Sequence, residues 1–127
     1  MKLIIDRRVW LRGESMSALL RVSTQTRCCV GIYLSALGVP DEALAGNPTA
    51  YEVNKFIPES AEWLLGERCE NSDDANDLYG NNDYRSLDPA TREQMIAAIF
   101  ARHGVEVEFQ DGGDEVGDRI PSYSEDQ

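Results

Sequence analysis

Apolar residues fall along this chain in runs of different period, and the periods predict its elements. Between Cys29 and Leu37 only Ser35 is polar, so the stretch Arg27 to Pro40 reads as a helix apolar on nearly every side and enclosed by the rest of the fold. Gly31 is placed to let another backbone come close, and Gly38 with Pro40 stops the helix. Asp88-Pro89 opens a second helix as N-cap and first position, with Met95, Ile96, Ile99, Phe100 and His103 at helical spacing on one side and Arg92, Glu93, Gln94 and Arg102 as its polar positions. After Gly104 the pattern changes to alternation, and Val105, Val107 and Phe109 define a half-buried strand. At the other end Lys2–Asp6 is a β-type run whose consecutive Leu3, Ile4 and Ile5 suit an inner sheet position better than a solvated one.

These elements predict one α+β domain over residues 1–110. Its small sheet includes the N-terminal strand (about 2–6) and the C-terminal strand (about 105–109), packed by the buried helix (about 28–37) and the amphipathic helix (about 89–103). Asp6 caps a turn that offers Val9, Trp10 and Leu11 to the core before Gly13 ends it. The run from Ser17 to Val22 fits a strand or a helix end equally. Asp41 starts a short turn that Gly46 closes. From Asn47 to Leu87, Pro48, Pro58, Gly66 and Gly80 break the pattern into pieces expected to be loops and one-turn helices. Residues 111–127, with six acids against Arg119, read as an acidic tail that is flexible or ordered only on binding.

Composition narrows the class. A chain of 127 residues with 42% apolar content can fill one hydrophobic core. No apolar leader and no run near the roughly 18 residues of a membrane span are present, so a cytoplasmic protein with no membrane contact is expected. Three cysteines, two of them adjacent, make a poor disulfide framework and fit a reducing compartment. The net charge of −11 is unevenly spread: residues 1–40 carry six bases against Asp6 and Glu14, a balance of +4, and residues 41–127 carry 21 acids against six bases, a balance of −15. An acidic surface argues against direct nucleic-acid binding, which depends on neutralising phosphates.

Candidate chemistry is sparse. Cys28 and Cys29 sit where a helix N-terminus can activate a thiol, but the sole histidine, His103, belongs to a different helix, and packing or a helix-dipole contact explains these residues as well. No metal or cofactor is expected: two adjacent cysteines, the distant Cys69 and one histidine match no zinc spacing, and residues 71–77 fail the calcium-loop register. Arg7, Arg8 and Arg12 bracket Trp10 and suit an anion site, or else they pair with the acidic body. Residues 59–83 hold Glu59, Glu62, Glu67, Glu70, Asp73, Asp74, Asp77 and Asp83 against Arg68 alone. Within that run Glu62, Glu67, Glu70, Asp73, Asp74, Asp77 and Asp83 form a candidate acidic interaction surface, able to plug a basic groove or simply to be solvated.

Taken in order, Trp10-Leu11-Arg12-Gly13, Arg27-Cys28-Cys29-Val30-Gly31, Asn82-Asp83, Arg92-Glu93 through Phe100, and His103 through Phe109 form a motif series. It resembles that of small phage and prophage proteins of uncharacterised function, which carry a similar W-x-R-G, C-C-L/I-G, N-D and G-I/V-E-V-x-F set. The similarity spans about residues 3–110, with Val30 where leucine is commoner and a long acidic tail as departures. It implies a phage origin and a small accessory role, and transfers no catalytic residue. Three functions are therefore expected, in this order. The first is a non-enzymatic binder or inhibitor of a host or defence protein with a basic groove, the second a small-molecule or nucleotide binder using the arginine cluster, and the third a cysteine-dependent enzyme.

Overall fold

The computed structural model describes residues 1–14, 18–65 and 72–111, with backbone only at Ser72 and Asp73. Its sheet has two strands, β1 (Lys2–Asp6) and β2 (Glu106–Gln110), parallel and in the register Leu3 to Val107 and Ile5 to Phe109. Parallel neighbours need a crossover connection. Here the crossover is everything between them: α1 (Cys29–Ala36), α2 (Asp41–Leu44), 3-10 segments at Ala50–Phe56 and Glu59–Leu65, α3 (Ser72–Asp83) and α4 (Pro89–Ala101). The α+β class and the pairing of the terminal strands are as the sequence predicts.

β1 corrects one expectation. Leu3 and Ile5 are fully buried, whereas Ile4 is 40% exposed, so the strand alternates and its outer face meets solvent. On that outer face Lys2 pairs with Glu108 at 2.7 Å, which raises the Lys2 pKa and lowers that of Glu108. α1 packs on β1 and α4 on β2, and the face that carries Ile4 and the Lys2–Glu108 pair stays open to solvent, a departure from the two-sided cover usual for parallel strands.

α1 is buried from Cys29 to Leu34, with Cys28 as N-cap and its sulfur accepting from the Gly31 N–H at 3.5 Å. Gly31 packs directly on the Ala18–Leu20 segment: a Cβ there would lie 1.9 Å from the Leu19 carbonyl oxygen. The helix stops in a Schellman arrangement, with Gly38 at φ +99°, Gly38 N–H donating to Ser35 and Val39 N–H donating to Leu34. Residues 18–22 form neither strand nor helix. They are held by backbone pairing, Leu20 bridging to Ala45 and Arg21 to Thr26.

α4 is capped by Asp88, whose carboxylate accepts from the Thr91 N–H at 3.1 Å. Its inward stripe is Arg92, Ile96, Ile99 and Phe100. Met95 is 47% exposed and Arg92 is 5% exposed, the reverse of the assignment by polarity. A stripe through Ile96, Ile99, Phe100 and His103 extends back one turn to position 92, and Met95 lies about 40° beyond its edge at Ile99, on the solvent side. Val9, expected in the core, is 38% exposed, because the turn after β1 sends Trp10 and Leu11 inward instead.

The irregular region holds more order than its sequence suggests. α3 buries Ala75, Leu78 and Asn82, with Tyr79 half-buried, a spacing of i, i+3, i+4 and i+7. α3 packs on α4 and on the second 3-10 segment, which packs on the first. The core is centred on Tyr33, Trp63 and Phe100, with ring centroids 5.1–6.0 Å apart. The expected tail, apart from Asp111, lies outside the described residues.

Candidate functional site

The motif residues, dispersed in sequence, meet around one side chain. Asn82 is fully buried, and its amide uses its whole hydrogen-bonding capacity. Oδ1 accepts from the Trp10 indole N–H at 2.8 Å and from the Cys29 N–H at 3.1 Å, and Nδ2 donates to the Leu11 carbonyl at 3.0 Å and to Asp83 at 2.9 Å. Trp10 in turn packs on Phe109 of β2 at 5.1 Å. Arg92 is the second buried polar group. Its guanidinium donates to the carbonyls of Asn82 at 3.2 Å, Tyr84 at 2.9 Å and Leu87 at 3.2 Å, so a cation closes the C-terminal end of α3, where the helix leaves carbonyls unpaired. Gly13, at φ +73°, lies over that guanidinium and donates its N–H to the Asn82 carbonyl at 2.8 Å. Sequence reasoning missed Asn82 and Arg92 as core groups; the available signal was that each continues the helical spacing of apolar neighbours.

The candidate arginines are separated by their partners. Arg7 makes a two-pronged pair with Glu93, both contacts at 2.8 Å, and a further bond to Asp111 at 2.9 Å, which together push its pKa up. Arg8 returns to Asp6 at 3.1 Å, and Asp6 also accepts the Arg8 N–H at 2.9 Å as the predicted turn cap. Burial would raise the Asp6 pKa, but these bonds outweigh it and lower the value. Arg12 lies over the Trp10 ring at 4.4 Å and donates from one nitrogen, Nη1, to the Arg7 and Trp10 carbonyls. Its pKa is lowered, first by burial, and further by Arg7 and Arg92.

The acidic candidates also divide. Glu62 and Asp77 are exposed. Asp74 is instead gripped by α4: it pairs with Arg102 at 2.5 Å and with His103 Nε2 at 2.8 Å, and its pKa is lowered chiefly by the His103 bond. Asp83 is half-buried and bonded to Asn82; six residues from Asp77, it projects about 120° away around the helix. Glu67, Glu70 and the side chain of Asp73 lie outside the described residues, as does Cys69.

Cys28 and Cys29 are both buried, and burial pushes the Cys29 thiol well above its ordinary value. The one histidine stacks on Trp63, rings parallel and 3.8 Å apart, and bonds to Asp74; neither cysteine is among its contacts. The described residues therefore contain no thiol and imidazole in contact. They also contain no group of three or more His, Cys, Asp or Glu able to hold a metal, and no helix long and apolar enough to cross a membrane. Compared with known proteins, the chain matches no family model, no curated protein and no solved structure.

Proposed function

We propose that this chain is a non-enzymatic binding protein, of the small phage accessory kind its motif series resembles. In this reading it acts in the host cytoplasm by docking a host or defence protein that bears a basic groove. The observation that carries the reading is the outer surface of the two 3-10 segments and α3. These contiguous elements expose Glu52, Glu59, Glu62 and Asp77 against Lys55 among the described residues. Between them runs a concavity of about 340 Å³ lined by Tyr51, Leu64, Leu65, Ala75, Asn76 and Tyr79. Tyr51 is 54% exposed there. An exposed tyrosine beside apolar lining, on elements whose exposed charges are mostly acidic, has the composition of a contact surface: the aromatic supplies buried area and the carboxylates steer a cationic partner.

The test is a tagged pull-down from host lysate at low and high salt, with Tyr51→Ala/Glu62→Gln/Asp77→Asn beside the wild type. Asp74 is left intact because it anchors α4. Recovery of one basic protein at low salt, reduced at high salt and lost with the triple variant, supports the proposal. Equal recovery by the triple variant overturns it.

A further inference from the structure

β2 is an edge strand whose outer side has no neighbour among the described residues. The Glu106 N–H donates to the Met1 carbonyl at 2.9 Å, and the Gln110 carbonyl accepts from the Arg7 N–H at 2.7 Å. The main-chain groups of Glu106, Glu108 and Gln110 thus turn toward β1, and those of the residues between them turn away. Val105 spends its outward N–H on the Phe100 carbonyl at 3.1 Å. Val107 and Phe109 have no such bond, and among the described residues their N–H and carbonyl groups are unpaired.

Side-chain burial points to the same edge. On the inner face of the sheet Leu3 and Ile5 of β1 are fully buried, whereas their register partners Val107 and Phe109 are only partly so. Beside them a concavity of about 380 Å³ runs between α4 and β2, lined by Ala97, Ala101, Gly104, Val105, Glu106 and Val107. Ala97 and Ala101 stand one turn apart on α4, and their methyl groups leave space that longer side chains would fill. The groove therefore has one wall of free backbone and an apolar floor, the two parts with which a sheet edge takes up an extended peptide.

The two faces of an added strand fix the chemistry of its side chains, which alternate between them. Those on the inner side lie over Ala97, Ala101 and Val107 and are required to be apolar. Those on the outer side lie beside Glu106 and Glu108. Glu108 already holds Lys2 and Gln110, but Glu106 is exposed and has no ion-pair contact among the described residues. A cation beside it is favoured and a carboxylate repelled. The same rule disfavours a second copy of β2, since antiparallel pairing centred on Val107 sets Glu106 against Glu108, and pairing centred on Glu108 sets that residue against itself.

We propose that the β2 edge binds an extended peptide of alternating apolar and basic residues by strand addition. Val107 and Phe109 supply the main-chain bonds, Ala97 and Ala101 seat the apolar side chains, and Glu106 meets a basic one. The site shares no residue with the acid-rimmed face and does not depend on it.

The experiment is a ¹⁵N NMR titration of the full chain with the acetylated and amidated peptide Lys-Val-Lys-Val-Lys-Val, and with versions N-methylated at its lysines or at its valines. Saturable shifts are expected at the Val107 and Phe109 amides. One of the two methylated peptides is expected to lose them, because alternate N–H groups face β2 and the set that does so depends on strand direction. All three peptides carry the same charge, so general attraction to an acidic chain cannot separate them. Ala101→Arg, at an exposed helix position, fills the groove and is expected to weaken the peptide roughly tenfold or more. Glu106→Gln is expected to weaken it severalfold, whereas Glu42→Gln, in α2, removes the same charge and leaves binding unchanged. No saturable shift, equal binding by both methylated peptides, or equal binding by Ala101→Arg each overturns the assignment. So do Val107 and Phe109 shifts that follow protein concentration and not peptide, the mark of a second copy on the edge.

Discussion

Gly31→Ala asks whether the packing of α1 on the segment before it is as tight as its geometry indicates. Alanine is the better helix former by about 1 kcal/mol, so local propensity alone predicts a gain. Packing opposes it: the new methyl would lie 1.9 Å from the Leu19 oxygen, 2.7 Å from its carbonyl carbon and 2.9 Å from its Cα, all backbone atoms. Those atoms are pinned. The Leu19 N–H donates to the Asn47 carbonyl at 2.8 Å, the Cys28 N–H donates to the Ala18 carbonyl at 3.0 Å, and Gly46 donates to Leu20 at 3.0 Å. Relieving the clash strains or breaks two or three of these bonds, each worth about 1 kcal/mol net, on top of about 1–3 kcal/mol of overpacking. Set against the propensity gain, the sum is a loss of about 3 kcal/mol.

Urea denaturation followed by tryptophan fluorescence reads this loss directly, because Trp10 and Trp63 are both buried. The internal control is Gly80→Ala. Gly80 is also helical, but a Cβ there meets nothing within 4 Å, so the same substitution should stabilise by about 0.5–1 kcal/mol. The two variants must therefore move in opposite directions. A Gly31→Ala protein as stable as the wild type would refute the argument that close backbone approach, and not helix propensity, decides the residue at this position.

Two further outcomes follow from the polar contacts. Asn82→Ala strands the Trp10 indole N–H, the Cys29 N–H and the Leu11 carbonyl in the core, a cost of about 4 kcal/mol from the usual penalty per unpaired group, readable as a large drop in urea midpoint without change of slope. Asp74 titrates below its ordinary value of 3.8 in the folded chain, so its contribution to stability is present above that value and is lost as pH falls through the lower folded one. Asp74→Asn should accordingly be less stable than wild type at neutral pH and lose less on acidification. Parallel loss by both proteins below pH about 4 would contradict that linkage.

What the sequence made legible was whatever rests on apolar period and stop signals. The α1 run, the Asp88-Pro89 start and the alternation of Val105, Val107 and Phe109 each point to one element, and each is there, the strand displaced by a single residue. α3 was hidden for a physical reason. Its buried positions are Ala75, Leu78, Tyr79 and Asn82, of which alanine contributes little hydropathy, asparagine counts as polar and tyrosine is ambiguous. Arg92 was misread for the same cause: a guanidinium that ends in helix carbonyls is buried by hydrogen bonding, which no apolar pattern records. The candidate sites were legible as clusters of charge, not as contacts. The sequence does not say that Arg7 is spent on Glu93, that Asp74 belongs to α4, or that Arg12 faces Arg21 and two threonines across a cleft.

These placements bear on what the motif series means. Trp10, Cys28, Cys29, Asn82, Arg92 and Phe100 are all buried, and Gly13 and Gly31 are fixed by φ or by close approach. These buried members of the series specify the frame: Asn82 ties the turn after β1 to the first turn of α1, and Arg92 ties α4 to the end of α3. Resemblance carried by frame residues predicts a shared fold and is silent about partners, since none of these side chains is available to touch one. In the proposed reading, recognition rests on positions outside the series: the face that carries Tyr51, Glu62 and Asp77 uses none of its residues, so the partner is free to differ between proteins that share the frame.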